Sequence, residues 1–236
     1  MTRRSAILIC GVALALTLTG CEGQLTNGGG PDLTAISSAP GEITVSAPVG
    51  SNGDTRDMFW SSSGVREAGA TECATWASGK GLAQDALAFD IRSTKGGLQA
   101  ITIERNIWGY AFWDFIAITW DTTSTSNAVA DGSVDLSSYL GTGPTDVFPL
   151  QVCARMVGST LQFEVAKRGD AIQAWGNTAR GGDITTRMPS NGVTGATGVY
   201  FGHMAVGTSA QMTNVTIDGT PAARLGVAAP ARASRR

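Results

Sequence analysis

Residues 98–122, LQAITIERNIWGYAFWDFIAITWDT, carry the pattern that most limits what this chain can fold into. Ile101 and Ile103 alternate with Thr102 and Glu104. That is the period of two of a half-buried strand, whose successive side chains leave on opposite faces. After a break at residues 106–109, residues 112–120 run almost without polar interruption. Such a run reads as a second strand covered on both faces. No long stretch beyond the N-terminus places apolar residues at helical spacing, so the expectation is an all-β chain. The 31 glycines and the low charge, 15% of residues, fit a turn-rich β composition, and 42% hydrophobic residues are enough to bury a core. With 236 residues the chain suits one large β domain. A folded unit of about 180 residues removes roughly 70% of its unfolded surface from water, so stability calls for no metal or partner.

Further strands are expected at residues 42–48, 87–92, 148–157, 160–167, 198–204 and 211–218, each with alternating apolar positions. Gly158-Ser159 is a two-residue turn between two of them, and Lys95-Gly96-Gly97 turns the chain into the opening stretch. Residues 50–57 read as a turn cluster, residues 60–85 as loops with one short strand, and residues 169–195 as a long irregular stretch. Hairpin-linked strands without a convincing helix predict an antiparallel sandwich or barrel.

The ending GVYFGHM followed by AQMTNVTID resembles the last two strands of concanavalin A-like sandwich domains, the lectin, glucanase and laminin-G group. The resemblance covers some 20 to 25 residues. It implies a jelly-roll β-sandwich, and it makes a saccharide or cell-wall component the natural ligand class; the activity does not follow from the fold.

The N-terminus reads as an address. Arg3-Arg4 forms a basic region, residues 6–18 an apolar run too short for a stable span, and Leu18-Thr19-Gly20-Cys21 resembles the lipobox of bacterial lipoproteins. That resemblance implies a signal peptide over residues 1–20 and Cys21 as a lipidation site carrying acyl chains of the palmitate kind. Two or three such chains anchor durably where one does not. The alternative for Cys21 is a buried cysteine after an ordinary secretory signal. Export by the general secretory route is the simpler reading, although Arg3-Arg4 loosely resembles a twin-arginine signal. Residues 21–40, with Gly28-Gly29-Gly30-Pro31, are expected to be a flexible tether, residues 41–220 the sandwich domain, and residues 221–236 a disordered basic tail. The protein is thus placed on the outer face of a bacterial plasma membrane, with the lipid bilayer as its first partner.

Of four cysteines, Cys10 leaves with the leader and Cys21 is taken by lipid. Cys73 and Cys153 remain, far apart in an exported domain, and are expected to form a disulfide. With no CxxC and a single histidine, a zinc site of the usual kind is nearly excluded, and no metal or cofactor is expected.

No catalytic residue stands out. The related glucanases carry closely spaced carboxylates on one strand, and no Glu-x-Asp-x-x-Glu exists here. Glu104 stands alone on its strand, Asp114 and Asp121 lie on opposite faces of theirs, and His203 sits on an apolar strand where a structural role is expected. Binding residues are sought among Trp60, Trp76, Trp108, Tyr110 and Trp175, expected in loops or at strand ends; the competing reading is that they cover the core. Asp54 with Asp57, or Asp131 with Asp135, read as turn residues rather than calcium ligands. Nucleic acid is excluded by charge, since residues 40–220 carry 17 acids against 11 bases. The leading expectation is a lipid-anchored binding module. The alternatives are a glycoside-active enzyme with a non-standard acid pair and a structural envelope protein with a protein partner. Oligomeric state does not follow from the sequence.

Overall fold

The structure, a computed structural model, describes residues 8–10, 20–26, 31–36, 39–51, 53–65, 69–77, 84–94, 97–106, 113–142, 147–173, 175–176, 179–187, 195–223 and 225. It is an all-β antiparallel sandwich of two sheets. The strands are β1 (Leu8–Cys10), β2 (Gly20–Thr26), β3 (Thr34–Ile36), β4 (Ile43–Ser46), β5 (Arg56–Val65), β6 (Thr71–Trp76), β7 (Gln84–Thr94), β8 (Gly97–Asn106), β9 (Asp114–Asp121), β10 (Ala128–Asp135), β11 (Leu150–Val157), β12 (Thr160–Ala166), β13 (Gly181–Thr185), β14 (Ala196–Gly202), β15 (Ser209–Ile217) and β16 (Thr220–Pro221). Among the described residues one short helix, α1 (Ser137–Leu140), interrupts them. The first sheet has the order β1-β2-β5-β14-β7-β8-β9-β10, and the second β13-β12-β11-β6-β15-β4-β3, with β16 on β15. The two C-terminal strands of the recognised ending therefore lie one in each sheet.

Alternation decides which side chains face the partner sheet. Leu87 and Phe89, Ile101 and Ile103, Phe115 and Ala117, and Val199 and Phe201 enter the main core from the first sheet. They meet Ala74 and Trp76, Val152 and Ala154, Leu161 and Phe163, and Met212 and Val215 from the second. Phe115 stacks between Trp76 at 5.9 Å and Phe163 at 5.6 Å, an offset aromatic column that ties the two sheets together. Val157 pairs with Thr160 around the expected Gly158-Ser159 turn, and Thr94 pairs with Gly97, with residues 95–96 outside the described residues.

Several expectations change, among them residues 169–195, expected as irregular, which contain β13 paired with β12. Residues 60–85 contain most of β5, all of β6 and the start of β7: backbone ladders pair β6 with β11 and β15 through Thr, Glu, Cys and Ala positions that carry no apolar run. Within residues 21–40, β2 and β3 are sheet strands, and Leu25, Leu33 and Ala35 are buried. A segment with few apolar residues still orders when each finds a place in an existing core. Leu225 and Ala222 join the main core as well, so the ordered domain reaches beyond residue 220. Residues 11–19, most of the expected apolar leader, and 226–236 of the tail lie outside the described residues.

The disulfide between Cys73 and Cys153 is present, and the two residues are direct cross-strand partners in β6 and β11 with Cα atoms 4.0 Å apart. It joins neighbouring strands in the middle of the second sheet rather than pinning an irregular loop. Closing a loop with a sequence separation of 80 stabilises by roughly 4.5 kcal/mol on the chain-entropy account. Replacing both cysteines with alanine is expected to lower the unfolding free energy by about 2–4 kcal/mol in urea titrations, with the fold retained; an unchanged midpoint would contradict this.

Candidate functional site

The first sheet has a second, separate core on its other face. Cys21, Leu25, Met58, Trp60, Ala86, Ala88, Ile91, Leu98, Ala100, Trp120, Ala196 and Tyr200 form it. The cross-strand register explains the grouping. One rung runs Gly23, Met58, Tyr200, Ala86, Glu104, Ile116 across six strands, and the next runs Cys21, Trp60, Gly198, Ala88, Thr102, Ile118. All these residues leave on the face turned away from the second sheet, because each rung is two residues from the next.

That face is concave. In a flat sheet β2 and β8 lie four strand spacings apart, about 19 Å. Yet a methyl group placed on Gly23 of β2 would stand 3.1 Å from the Leu98 Cδ2 on β8 and 2.9 Å from the Trp60 ring. The sheet curls until β2 meets the floor of the hollow. Small residues make the curl available: a Cβ on Gly198 would lie 2.8 Å from that of Trp60, and one on Gly202 would strike the Tyr200 hydroxyl. Ala86, Ala88 and Ala100 complete a floor over which Trp60, Trp120 and Tyr200 lie. Trp120 and Tyr200 are 5.6 Å apart at their ring centres. The Trp120 Nε1–H donates to Thr102 Oγ1 at 2.9 Å, which fixes the indole.

At one end of this hollow polar side chains converge. The Tyr200 hydroxyl donates to Gln84 Oε1 at 3.1 Å and interacts with Arg56 and Glu104. Burial raises the Tyr200 phenol far above its usual range, with the Glu104 charge adding to it. Glu104 is 1% exposed, and its Oε2 has no hydrogen-bond partner. Burial pushes its carboxyl up to about 8 against the opposing pull of Arg56, so it holds its proton at neutral pH. Arg56 is held by His203, whose Nε2 it contacts, and donates from Nη1 to the Asp54 carbonyl at 3.3 Å. Burial first, and the Arg56 charge second, lower the His203 pKa, so the ring is neutral. Its Nδ1–H then donates to the Gly53 carbonyl at 2.9 Å, leaving Nε2 as the acceptor for Arg56. His203, expected in a structural role, bonds the Gly53 carbonyl and contacts Arg56, a cation whose charge acts on Glu104.

The other expected site residues fare differently. Trp60 belongs to β5 and the concave core, not to a loop. Trp76 is fully buried between the sheets, in the Phe115 column, and offers no binding surface. Trp108 and Tyr110 lie outside the described residues. Trp175 is half-buried in a turn on the opposite sheet, with the Arg155 guanidinium 4.5 Å from its ring centre. Cys21, expected as a lipidation site, is here a disulfide-bonded residue of β2, 1% exposed, with Cys10 as its Cα partner across the ladder. Asp57 is a buried strand residue that accepts the Leu33 N–H at 2.8 Å rather than a turn residue. Asp131 pairs with Arg187 at 3.2 Å and accepts from Thr119 at 2.6 Å, and Asp135 accepts the Ser137 N–H at 2.8 Å. Among the described residues no group of three metal-ligating side chains occurs, and no helix is long and apolar enough to cross a membrane.

No protein-family model matches the chain, and no curated protein sequence does either. Among solved structures, the carbohydrate-binding module CBM66 from Bacillus subtilis overlays with a TM-score of 0.48 at 14% identity, covering 85% of this chain and 96% of that one. The calcium-bound exoplasmic/lumenal domain of VIP36 overlays at 0.44 and 10% identity, covering 83% and 88%. A toad ovary galectin in complex with thio-digalactose overlays at 0.34 and 8% identity, covering 74% and 99%. All three scores lie below 0.5, so the sandwich assignment stands on the chain's own two sheets.

The raised carboxyls fix the direction of the pH dependence. Glu104 is pushed up to about 8 and Asp85 to about 6, each chiefly by burial. Asp57 is pushed up to about 8 by burial and by Glu22 and Asp32 against the pull of the Leu33 N–H; Glu22 rises to about 7 by burial and Asp32. Unfolded, all four ionise near pH 4. Between that pH and about 8 the folded chain therefore binds more protons than the unfolded one, and stability falls as pH rises. The melting temperature is expected to drop from pH 5 to pH 8, and Glu104→Gln to flatten the drop above pH 6. An identical slope in the variant would show that Glu104 is not the buried proton holder.

Proposed function

We propose that the protein is a lipid-anchored extracytoplasmic binding module that takes a saccharide or cell-wall component in the concave face of its first sheet. The observation that carries this reading is the side-chain set of that face. Trp60, Trp120 and Tyr200 supply flat apolar surface for the C–H faces of a sugar ring, while Arg56, Gln84, the Tyr200 hydroxyl and the protonated Glu104 supply planar donors and acceptors for its hydroxyls. The free Oε2 of a carboxyl nine-tenths or more buried is the kind of atom a ligand hydroxyl satisfies. Glycan-array and isolated cell-wall binding are the tests. Tyr200→Phe and Glu104→Gln are each expected to weaken retention about tenfold, the cost of a lost buried hydrogen bond. No binding by folded, lipid-anchored wild-type protein to either would overturn the reading.

Anchoring is a separable part of the proposal. It rests on the Leu18-Thr19-Gly20-Cys21 sequence. Wild-type protein is expected to incorporate labelled fatty acid and to partition with membranes, and Cys21→Ala to do neither; equal labelling in the variant would refute it.

A second reading has one observation in its favour. Glu104 and Asp114 leave on the same concave face from adjacent strands, Glu104 opposite Ile116 and Asp114 two residues away. Diagonal neighbours stand about 7–8 Å apart, within the range of a water-spaced carboxyl pair in inverting glycosidases. Burial raises Asp114 as well, with hydrogen bonding to Ser133 opposing it and the nearby Asp135 adding to it. Product release from polysaccharide mixtures that is lost in both Glu104→Gln and Asp114→Asn would favour hydrolysis over binding.

A further inference from the structure

The second sheet has an outer face of its own, and one aromatic ring lies on it. Val152, Ala154 and Met156 of β11 and Leu161, Phe163 and Val165 of β12 enter the main core. Alternation therefore sends Arg155 and Gln162 to the opposite side. One rung of that side runs Asp183, Gln162, Arg155, Thr71 across β13, β12, β11 and β6. Another runs Gln151, Thr75, Thr213 across β11, β6 and β15.

The first of these rungs is bonded sideways. The Arg155 Nε–H donates to Gln162 Oε1 at 2.9 Å, and the Gln162 side-chain amide donates to Asp183 Oδ2 at 3.2 Å. Guanidinium, amide and carboxylate thus form a row of planar groups, held in place before any ligand arrives. Two strand spacings make the row about 10 Å long, the scale of a disaccharide. Trp175, from the connection between β12 and β13, stands at one end. Its ring lies over the Arg155 guanidinium, with Cζ 4.5 Å from the ring centre. Trp175 keeps part of its surface in water, and Asp183 is exposed.

The chemistry of this face chooses among occupants. A protein partner needs a cluster of apolar anchors, and among the described residues Val157 is the one exposed large apolar side chain of these strands. An anionic polymer needs surplus cations, and here the Arg155 charge is matched by Asp183 in the same row. Hydroxyl, amide and ring surfaces remain. A neutral, hydroxyl-rich chain matches them, with its C–H faces on the indole and its hydroxyls on the row.

We propose that the row Asp183-Gln162-Arg155, with Trp175 at its end, is a second binding site and takes a neutral polysaccharide. It lies on the sheet opposite to Trp60, Trp120 and Tyr200, and it does not rest on the concave face binding anything.

Each face has its own reporter. Gluco-, manno- and xylo-oligosaccharides are titrated into the full chain while the indole Nε1–H signals are followed by NMR, with Trp175→Ala identifying the Trp175 signal. That signal is expected to shift and saturate with at least one of the three. Its midpoint should rise about fivefold in Gln162→Ala, which removes the centre of the row and leaves the indole in place, and stay unchanged in Tyr200→Phe. A Trp175 that merely covers Arg155 would not respond to sugar. A signal unmoved by all three, or moved only by an oligouronide, overturns the proposal, as does a midpoint indifferent to Gln162→Ala. The Trp60 and Trp120 signals report on the concave face alone, so either site can fail without the other.

Discussion

The curl of the first sheet is the constraint on which the rest depends. A flat eight-stranded sheet would bury one face against its partner and leave the other in water. Here Gly23, Gly198 and Gly202, with Ala86, Ala88 and Ala100, let strands and rings approach until β2 reaches Leu98. The domain then has two interiors: one between the sheets, filled by aliphatic and aromatic side chains, and one inside the curl, where a carboxyl, a guanidinium, an amide and a phenol sit among three aromatic rings. The first interior holds the fold together. The second is expensive to dry, because Glu104 must keep its proton and Arg56 must lean on a neutral His203 to be tolerated there. A chain that carries such a set behind a strand of its own keeps an arrangement suited to a ligand with both ring faces and hydroxyls.

The polar groups are arranged in layers of support. Gly53 fixes the tautomer of His203, His203 positions Arg56, and Arg56 balances Glu104 across Tyr200. His203, just past the end of β14, and Asn214, at the register irregularity inside β15, both adopt left-handed backbone conformations, at φ 50° each. Removing one member costs its neighbour a hydrogen bond or a compensating charge in a partly dry setting, so substitutions here should act on pH dependence and ligand contact together.

Much of the architecture was legible in the sequence because alternation reports faces directly. The strands at 87–92, 98–106, 150–157 and 160–166 and the turn at Gly158-Ser159 all carry it, and Cys73 with Cys153 followed from counting thiols. Strands β5 and β6 were not legible, because their Ser, Thr, Glu and Ala positions carry no apolar period that separates them from loop. The site was harder still. Glu104 looked solitary since Arg56 and Tyr200, the groups it interacts with, come from two other strands, and only the register places them on the same face. The signal available in the sequence was one of face: Glu104, Thr102 and Ala100 alternate opposite Ile101 and Ile103, and a carboxylate on a strand covered on both sides must be protonated or paired. Trp76 misled for the opposite reason, since a tryptophan in a Ser/Thr/Ala background looks exposed until its neighbours from the other sheet are known.

Indole NMR of the six tryptophans tests the central claim most directly. On titrating isolated cell-wall saccharide into acylated protein, the Nε1–H signals of Trp60 and Trp120 are expected to shift while those of Trp76 and Trp113, both between the sheets, stay fixed. A titration that moves only Trp175, on the opposite sheet, would contradict the concave face as the place where this domain meets its ligand.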